Sequence, residues 1–282
     1  MKQLIKKIFI MVLVAVIAMP MDGHAATKKK SKKRTVTKSY RVTANSAILI
    51  DINNNKLLYG RDIYQQVFPA STTKVMTALL VLEKLALDDY VTVSAHATQV
   101  QPTVLGAVAG EQFKVRDLLY AILLKSANDA AVVLAEAVAG SENNFVAMMN
   151  AKAKQLGAKQ TRFANPHGLP DTGRQYTTAR DMVTILNAAL KYDFFKAATA
   201  LKYKQIYSKD GRRFFLKSHN KALFLGWKKG VYGKTGYTRQ AQSCFVGYVN
   251  RGNTRLMVAV FGCRKRWNDI KFIIERYGKI PL

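Results

Sequence analysis

The spacing of apolar positions changes character twice along this chain. Between Ser46 and Asp62, two short apolar runs, SAILID and KLLYG, flank Asn53-Asn54-Asn55. Asparagine tolerates left-handed backbone angles, so this stretch predicts a β-hairpin. After Pro69-Ala70-Ser71 the spacing becomes helical, with Val75, Met76, Leu79, Leu80 and Leu82 on one face and Ser71 in the first turn. Residues 115–124 predict a second helix. Ser126 interrupts it, and Asn128 to Val138 resume the pattern until Gly140 stops it, leaving a polar elbow between two helices. A further helix over about 142–156 ends at Gly157, and FANPHGLPDTG, residues 163–173, reads as a loop from its Pro and Gly content. Thr178 and Asp181 form a capping pair for a helix running to Lys191.

Beyond Thr199 the pattern alternates. KYKQIYS, RRFFLKS, GVYGKTGYT, SCFVGYVN and TRLMVAVFG predict a meandering antiparallel sheet with a tight reversal over Asn250 to Asn253, and a last helix covers about Trp267 to Tyr277. The early hairpin and the late strands are expected to share one sheet, with a helical lobe inserted between them, which makes the fold class α+β. No internal repeat appears, and one ordered domain is expected over residues 44–282.

The 282 residues are 49% apolar, enough for a substantial core. Two cysteines cannot make a disulfide framework, and neither C-x-x-C nor paired Cys/His spacing is present, which argues against a zinc ribbon. Counted from the predicted reversal, Cys244 falls opposite Ala259, four residues from Cys263, so no cross-strand disulfide is expected. Charge is the compositional anomaly, with 45 basic against 17 acidic residues and a net +28.

At the start of the chain Lys2, Lys6 and Lys7 precede an apolar stretch from Ile8 to Met19, followed by Gly23-His24-Ala25-Ala26. This predicts an export signal over residues 1–25, since the stretch is well short of the roughly 20 residues that span hydrocarbon. Its removal takes away three lysines and Asp22 and leaves +26. Residues 26–43 read as a basic flexible arm, because ATKKKSKKRTVTKSYR, residues 26–41, holds eight basic side chains and no acidic one. Export removes nucleic acid as the expected partner and substitutes an electrostatic contact with an anionic envelope surface; the arm reads equally as a solvated spacer. The expected location is the periplasm or the outer face of the cytoplasmic membrane.

The candidate chemistry begins at Ser71-Thr72-Thr73-Lys74. Residues three apart on a helix share a face, so a hydroxyl and an amine meet. Lysine serves as a base only where burial or a second cation destabilises its ammonium. The spacing recurs at Ser218-His219-Asn220-Lys221, where no helical face aligns the pair. Ser71 is distinguished by its company: Ser126-Ala127-Asn128 at the elbow, then Lys234-Thr235-Gly236 on a predicted strand.

In this order the three motifs match the signature known for class A β-lactamases and penicillin-binding proteins, except that Ala127 replaces the middle aspartate of the second motif. Together with KSANDAA, FANPHGLPD and GVYGKTGYT, they closely resemble the low-molecular-mass D-alanyl-D-alanine carboxypeptidases, a serine peptidase family that includes related endopeptidases. The resemblance covers roughly residues 44–278 and implies a β-lactamase/transpeptidase-like fold. It implies Ser71 as the acylated nucleophile, Lys74 as its base and Ser126 as the proton relay to the leaving amine. It further implies that Asn128 binds a substrate amide carbonyl, that Lys234 supplies a positive charge and that Thr235 bonds the terminal carboxylate. Gly236 would leave room for the peptide, and the N–H groups of Ser71 and of Tyr237 or a neighbour would form the oxyanion hole. The implied partners are a peptidoglycan stem peptide ending in D-Ala-D-Ala and β-lactam antibiotics, with no metal and no cofactor.

Residue by residue, plainer readings exist. Ser126 and Asn128 read equally as helix caps, Lys234 as a surface lysine, and His167 and His219 as structural loop histidines. The chain departs from the family at Ala241-Gln242-Ser243-Cys244, where Ala-Gly-Tyr-Cys is usual. The carboxylate-assisting arginine of relatives falls on Arg264 or Arg266. A class A-like β-lactamase would need a glutamate to activate water, and residues 157–178 contain none. Beside a carboxypeptidase, the same residues leave room for a D,D-endopeptidase using the same site and for a non-catalytic envelope-binding protein.

Overall fold

A computed structural model describes residues 40–170 and 175–282; the expected signal peptide, most of the basic arm and the end of the 163–173 loop lie outside the described residues. The central sheet has five antiparallel strands in the order β2-β1-β9-β8-β7: β1 Ser46–Asp51, β2 Lys56–Arg61, β7 Tyr232–Thr238, β8 Gln242–Arg251 and β9 Thr254–Cys263. As the alternation predicts, the first hairpin and the last strands share this sheet, because β1 pairs with β9 along its whole length.

Both faces are covered, and successive side chains separate cleanly. Ile48, Ile50, Met257, Ala259 and Phe261 enter the larger core, while Ala47, Leu49, Leu256, Val258 and Val260 enter the smaller one. The smaller core is closed by α7, Arg266–Gly278. The helical lobe covers the other face and comprises α1 Lys74–Lys84, α2 Val115–Tyr120, α3 Asn128–Ala139, α4 Glu142–Gln155, α5 Ala179–Ala189 and α6 Asp193–Ala200. Every residue of α1 from Lys74 to Val81 is buried, so this helix runs through the core and carries its N-terminus to the sheet edge. Thr178 caps α5 by accepting the Asp181 N–H across 3.0 Å.

Several expectations are corrected. The strands β5, Tyr203–Tyr207, and β6, Arg213–Lys217, form a separate hairpin instead of continuing the main sheet. Each buries one residue, Ile206 or Leu216, against the helical lobe, and their other positions are too polar or too exposed for a covered sheet. The pair β3 Tyr90–Thr92 and β4 Gln112–Lys114 is three residues long on each side, too short to carry a period. The reversal between β8 and β9 lies later than expected, with Gly252 and Asn253 at its tip: Arg251 faces Thr254, so Val246 and not Cys244 faces Ala259, and Cys244 falls in an irregularity between the Ser243–Cys263 and Phe245–Val260 pairs. Both cysteines are buried free thiols.

The end of the expected arm belongs to the folded body. The Tyr40 hydroxyl donates to Asp269 across 2.5 Å, and the Thr43 N–H and hydroxyl donate to the same carboxylate across 2.9 and 2.6 Å. Asp269 is wholly buried in α7 and takes these three donors in place of water.

Candidate active site

Ala70 starts the site with φ +47, a left-handed angle that costs a residue with a Cβ about 1–3 kcal/mol. The turn opens a 3-10 coil over Ala70–Thr73 that runs straight into α1, so Ser71 and Lys74 face the same way. Gly168, with φ +85, packs against this turn; a Cβ there would overlap the Ala70 carbonyl oxygen.

Lys74 Nζ lies 3.2 Å from Ser71 Oγ. The amine is fully buried and donates to Asn128 Oδ1 across 2.6 Å and to the His167 carbonyl across 2.7 Å. Its bonding partners are neutral oxygens. Burial first, and the Lys234 cation second, hold its pKa well below the ordinary lysine value, with Asp129 opposing them. His167 therefore contributes through its backbone, which no sequence pattern signals. Its ring accepts the Leu169 N–H across 3.2 Å, the structural role expected of it, and burial with Lys74 nearby pushes its pKa down to about 3.

The elbow is built by a π turn, Ala121–Lys125, that extends α2 by one loosened turn and ends at Ser126 with φ +67. This strained angle swings the Ser126 hydroxyl out of the helix path. Neither Ser126 nor Asn128 caps α3, whose N-cap position is Ala127 without a side-chain cap. Their side chains meet the two lysines instead. Lys234, buried at 1% exposure, donates to Ser126 Oγ across 2.9 Å and to the Thr235 carbonyl across 2.9 Å. Burial, then Arg266, push its pKa down to about 7. The surface-lysine reading of Lys234 is thus overturned.

A loop that local sequence spacing does not reveal holds Asn128. The Asn128 N–H donates to the Thr103 carbonyl across 2.8 Å, and its Nδ2 donates to the Pro102 carbonyl. The loop is fixed by Asp129, whose buried carboxylate accepts the Leu105 N–H across 2.7 Å, the Gly106 N–H across 2.9 Å and the Ala130 N–H across 2.8 Å. Its place in the first turn of α3, where the helix dipole favours an anion, was the available signal.

The opposite wall is β7, the edge strand of the sheet. One Nη atom of Arg266 reaches both the Gly236 and Cys244 carbonyls, at 3.0 and 2.9 Å, which fixes those oxygens in the seam between β7 and β8. By strand alternation the backbone groups of Thr235 and Tyr237 face the open edge. A Cβ on Gly236 would come within 3.1 Å of the Ser71 nitrogen, so glycine lets the strand approach the serine turn. Between the two expected arginines, Arg266 lines the cleft, whereas Arg264 is exposed and donates its N–H to Thr43. Gln242, where relatives carry glycine, adopts φ +55 and turns its exposed side chain back to the Arg239 carbonyl, across 2.6 Å, so it adds no bulk over the cleft.

The cleft holds about 810 Å³, with Ser71, Ser126, Thr235, Gly236, Tyr237 and Arg266 among its lining residues. All three motifs expected from the sequence therefore converge. A serine beside a buried amine, a second buried cation and an open strand edge define a serine-type hydrolase on an antiparallel α+β scaffold.

Similarity to known proteins places the chain further. It belongs to the D-alanyl-D-alanine carboxypeptidase family, peptidase S11, whose model matches residues 31–265. It is 35% identical over 268 residues to the D-alanyl-D-alanine carboxypeptidase DacF of Bacillus subtilis, covering 93% of this chain and 66% of that one. It is 34% identical over 222 residues to a D-alanyl-D-alanine endopeptidase of Pseudomonas aeruginosa, covering 77% of this chain and 71% of the other. The solved Streptomyces K15 DD-transpeptidase superposes with a TM-score of 0.79 at 26% identity, over 86% of this chain and 99% of that one. The fold is that of the transpeptidases and penicillin-binding proteins. The chain spans just under two thirds of the length of its Bacillus relative.

Proposed function

We propose that this protein is a serine-type D-alanyl-D-alanine carboxypeptidase that trims peptidoglycan stem peptides through an acyl-enzyme on Ser71. One observation carries the reading: the buried Lys74 amine, 3.2 Å from Ser71 Oγ, has its pKa held well below the lysine value by burial and by Lys234.

The stem peptide lies antiparallel along the free edge of β7, using the backbone groups of Thr235 and Tyr237. Its terminal carboxylate is drawn to Lys234, Thr235 and Arg266. Neutral Lys74 takes the Ser71 proton as Oγ bonds to the carbonyl carbon of the penultimate D-alanine. The N–H groups of Ser71 and Tyr237 meet the oxyanion, which exists only in the tetrahedral state. As the C–N bond breaks, Ser126 gives its proton to the leaving nitrogen and is reprotonated by the lysine pair. Free D-alanine departs, and the enzyme keeps an ester on Ser71. Water then attacks the ester; its proton passes through Lys74 to Ser71 Oγ as the C–O bond breaks. Asn128 holds Lys74 through Oδ1 and offers its remaining Nδ2 proton to a substrate amide carbonyl.

Penicillin acylates the same serine and persists there, because residues 157–178 hold no glutamate to activate water. The substrate places the protein outside the cytoplasmic membrane, consistent with the apolar N-terminal stretch. Among the described residues, no helix is long and apolar enough to cross a membrane.

Release of a cross-linked strand needs the same steps with a larger leaving amine, and the 810 Å³ cleft favours this as a second reading. Incubation with a pentapeptide and with a cross-linked dimer, followed by mass spectrometry, tests both. The carboxypeptidase reading expects loss of one D-alanine from the pentapeptide, and an inert pentapeptide contradicts it.

A further inference from the structure

The cleft continues past Ser126 into a region that the trimming of a single D-alanine leaves unused. Phe215 and Lys217 at the end of β6, Lys221, Phe224 and Lys125 line it. Phe215 is 64% exposed, although Tyr203 stacks on it at 5.5 Å, and Lys217 sits 5.7 Å from the centre of the Phe224 ring. Among the described residues, no acidic side chain lines the cleft, and none of Lys125, Lys217 and Lys221 is in an ion pair.

Two bonds fix which end of the substrate this region meets. The His219 N–H donates to the Leu124 carbonyl across 3.0 Å, tying the segment to the Ser126 elbow. Asn220 Nδ2 donates to the Val231 carbonyl across 2.8 Å, tying it to the start of β7. A peptide antiparallel to β7 directs its acyl portion toward Tyr237 and Thr238 and its leaving portion toward that start. The proton relay at Ser126 also stands on the leaving side.

Resting on the function proposed above, we infer that this aromatic and cationic shelf binds the leaving portion of the substrate, and that the leaving portion it fits is an extended chain carrying a second carboxylate beyond the one next to the scissile bond. The rings pack against the methylenes of such a chain, and Lys217 and Lys221 receive its far charge. A single D-alanine reaches none of these groups.

The test uses three peptides with one acyl portion ending in D-alanine and leaving residues of D-alanine, D-2-aminopimelate or its ω-amide. The wild-type chain should cleave the ω-carboxylate with a kcat/KM about fivefold above that for the ω-amide, as expected for about 1 kcal/mol from exposed charges. The ratio should fall toward one in Lys217→Gln/Lys221→Gln, whose altered side chains are both exposed. A wild-type ratio of one, or a ratio unchanged in the variant, overturns the inference. Fluorescent penicillin labelling of the wild type separates the two levels: with labelling intact only the shelf is refuted, and without labelling the acyl-enzyme reading falls and the shelf's assignment with it.

Discussion

Lys234 Nζ donates to the Ser126 hydroxyl across 2.9 Å, although 108 residues separate the two in sequence. This bond joins the sheet to the helical lobe at the centre of the cleft. It also puts a second amine beside the Ser71–Lys74 pair, so Lys74 titrates under the influence of the Lys234 cation.

Acylation should depend on pH with a descending alkaline limb. Lys74 must be neutral to act as base, whereas Lys234 must be charged to attract the carboxylate and keep Lys74 neutral. The Lys234 pKa is pushed down to about 7, so the penicillin acylation rate should fall as pH rises through that region. Lys234→Arg, which keeps its charge, should move the limb to higher pH. Stopped-flow acylation across pH 5–10 reads this, and identical profiles for the two proteins contradict it.

Replacing Lys74 by arginine should remove the base while retaining a cation. Acylation should fall by about 10²–10⁴-fold, the usual contribution of a positioned base. A loss of less than about fivefold, measured by the same acylation assay, would show that another group takes the Ser71 proton.

Stability should rise with pH on the alkaline side. Lys234 has a folded pKa of about 7 against an ordinary lysine value of 10.5, so the unfolded chain binds more protons between those values. The burial penalty is fully present below about pH 7 and is relieved as pH rises toward 10.5. The slope is up to about 1.4 kcal/mol per pH unit for each such lysine. Urea unfolding of wild type and Lys234→Met should show a shallower slope in the variant; equal slopes refute the depressed pKa.

Asp129→Ala should loosen the segment that holds Asn128. It leaves the Leu105 and Gly106 N–H groups without their carboxylate, at a cost of about 3 kcal/mol. Acylation should fall further than stability alone explains, because Asn128 positions Lys74. Denaturation midpoints and acylation rates on the still-folded variant measure both, and an unchanged acylation rate denies the positioning role.

Much of this site was legible in the sequence because its groups come from three short motifs on elements with clear periods. Ser71 and Lys74 share a helix start, and Lys234 to Tyr237 occupy an alternating strand. What escaped was supplied by backbone atoms and by long-range closure. The His167 carbonyl, the Pro102 and Thr103 carbonyls and the Asp129 bonds depend on loops brought together in space, which local spacing does not encode. The separate β5–β6 hairpin escaped for a related reason: its alternation resembles that of the main strands, and only the packing of Ile206 and Leu216 on the lobe decides its place. The early end of the basic arm was hidden because its anchor, Asp269, lies in the last helix.

Intact-mass spectrometry after incubation with benzylpenicillin, followed by peptide mapping, reads out whether Ser71 is the acylated nucleophile. A single adduct of the antibiotic's full mass is expected on the peptide containing Ser71, stable for long periods and absent from Ser71→Ala. An adduct on another residue, or an unmodified wild-type protein that slowly or rapidly destroys the drug, would contradict it.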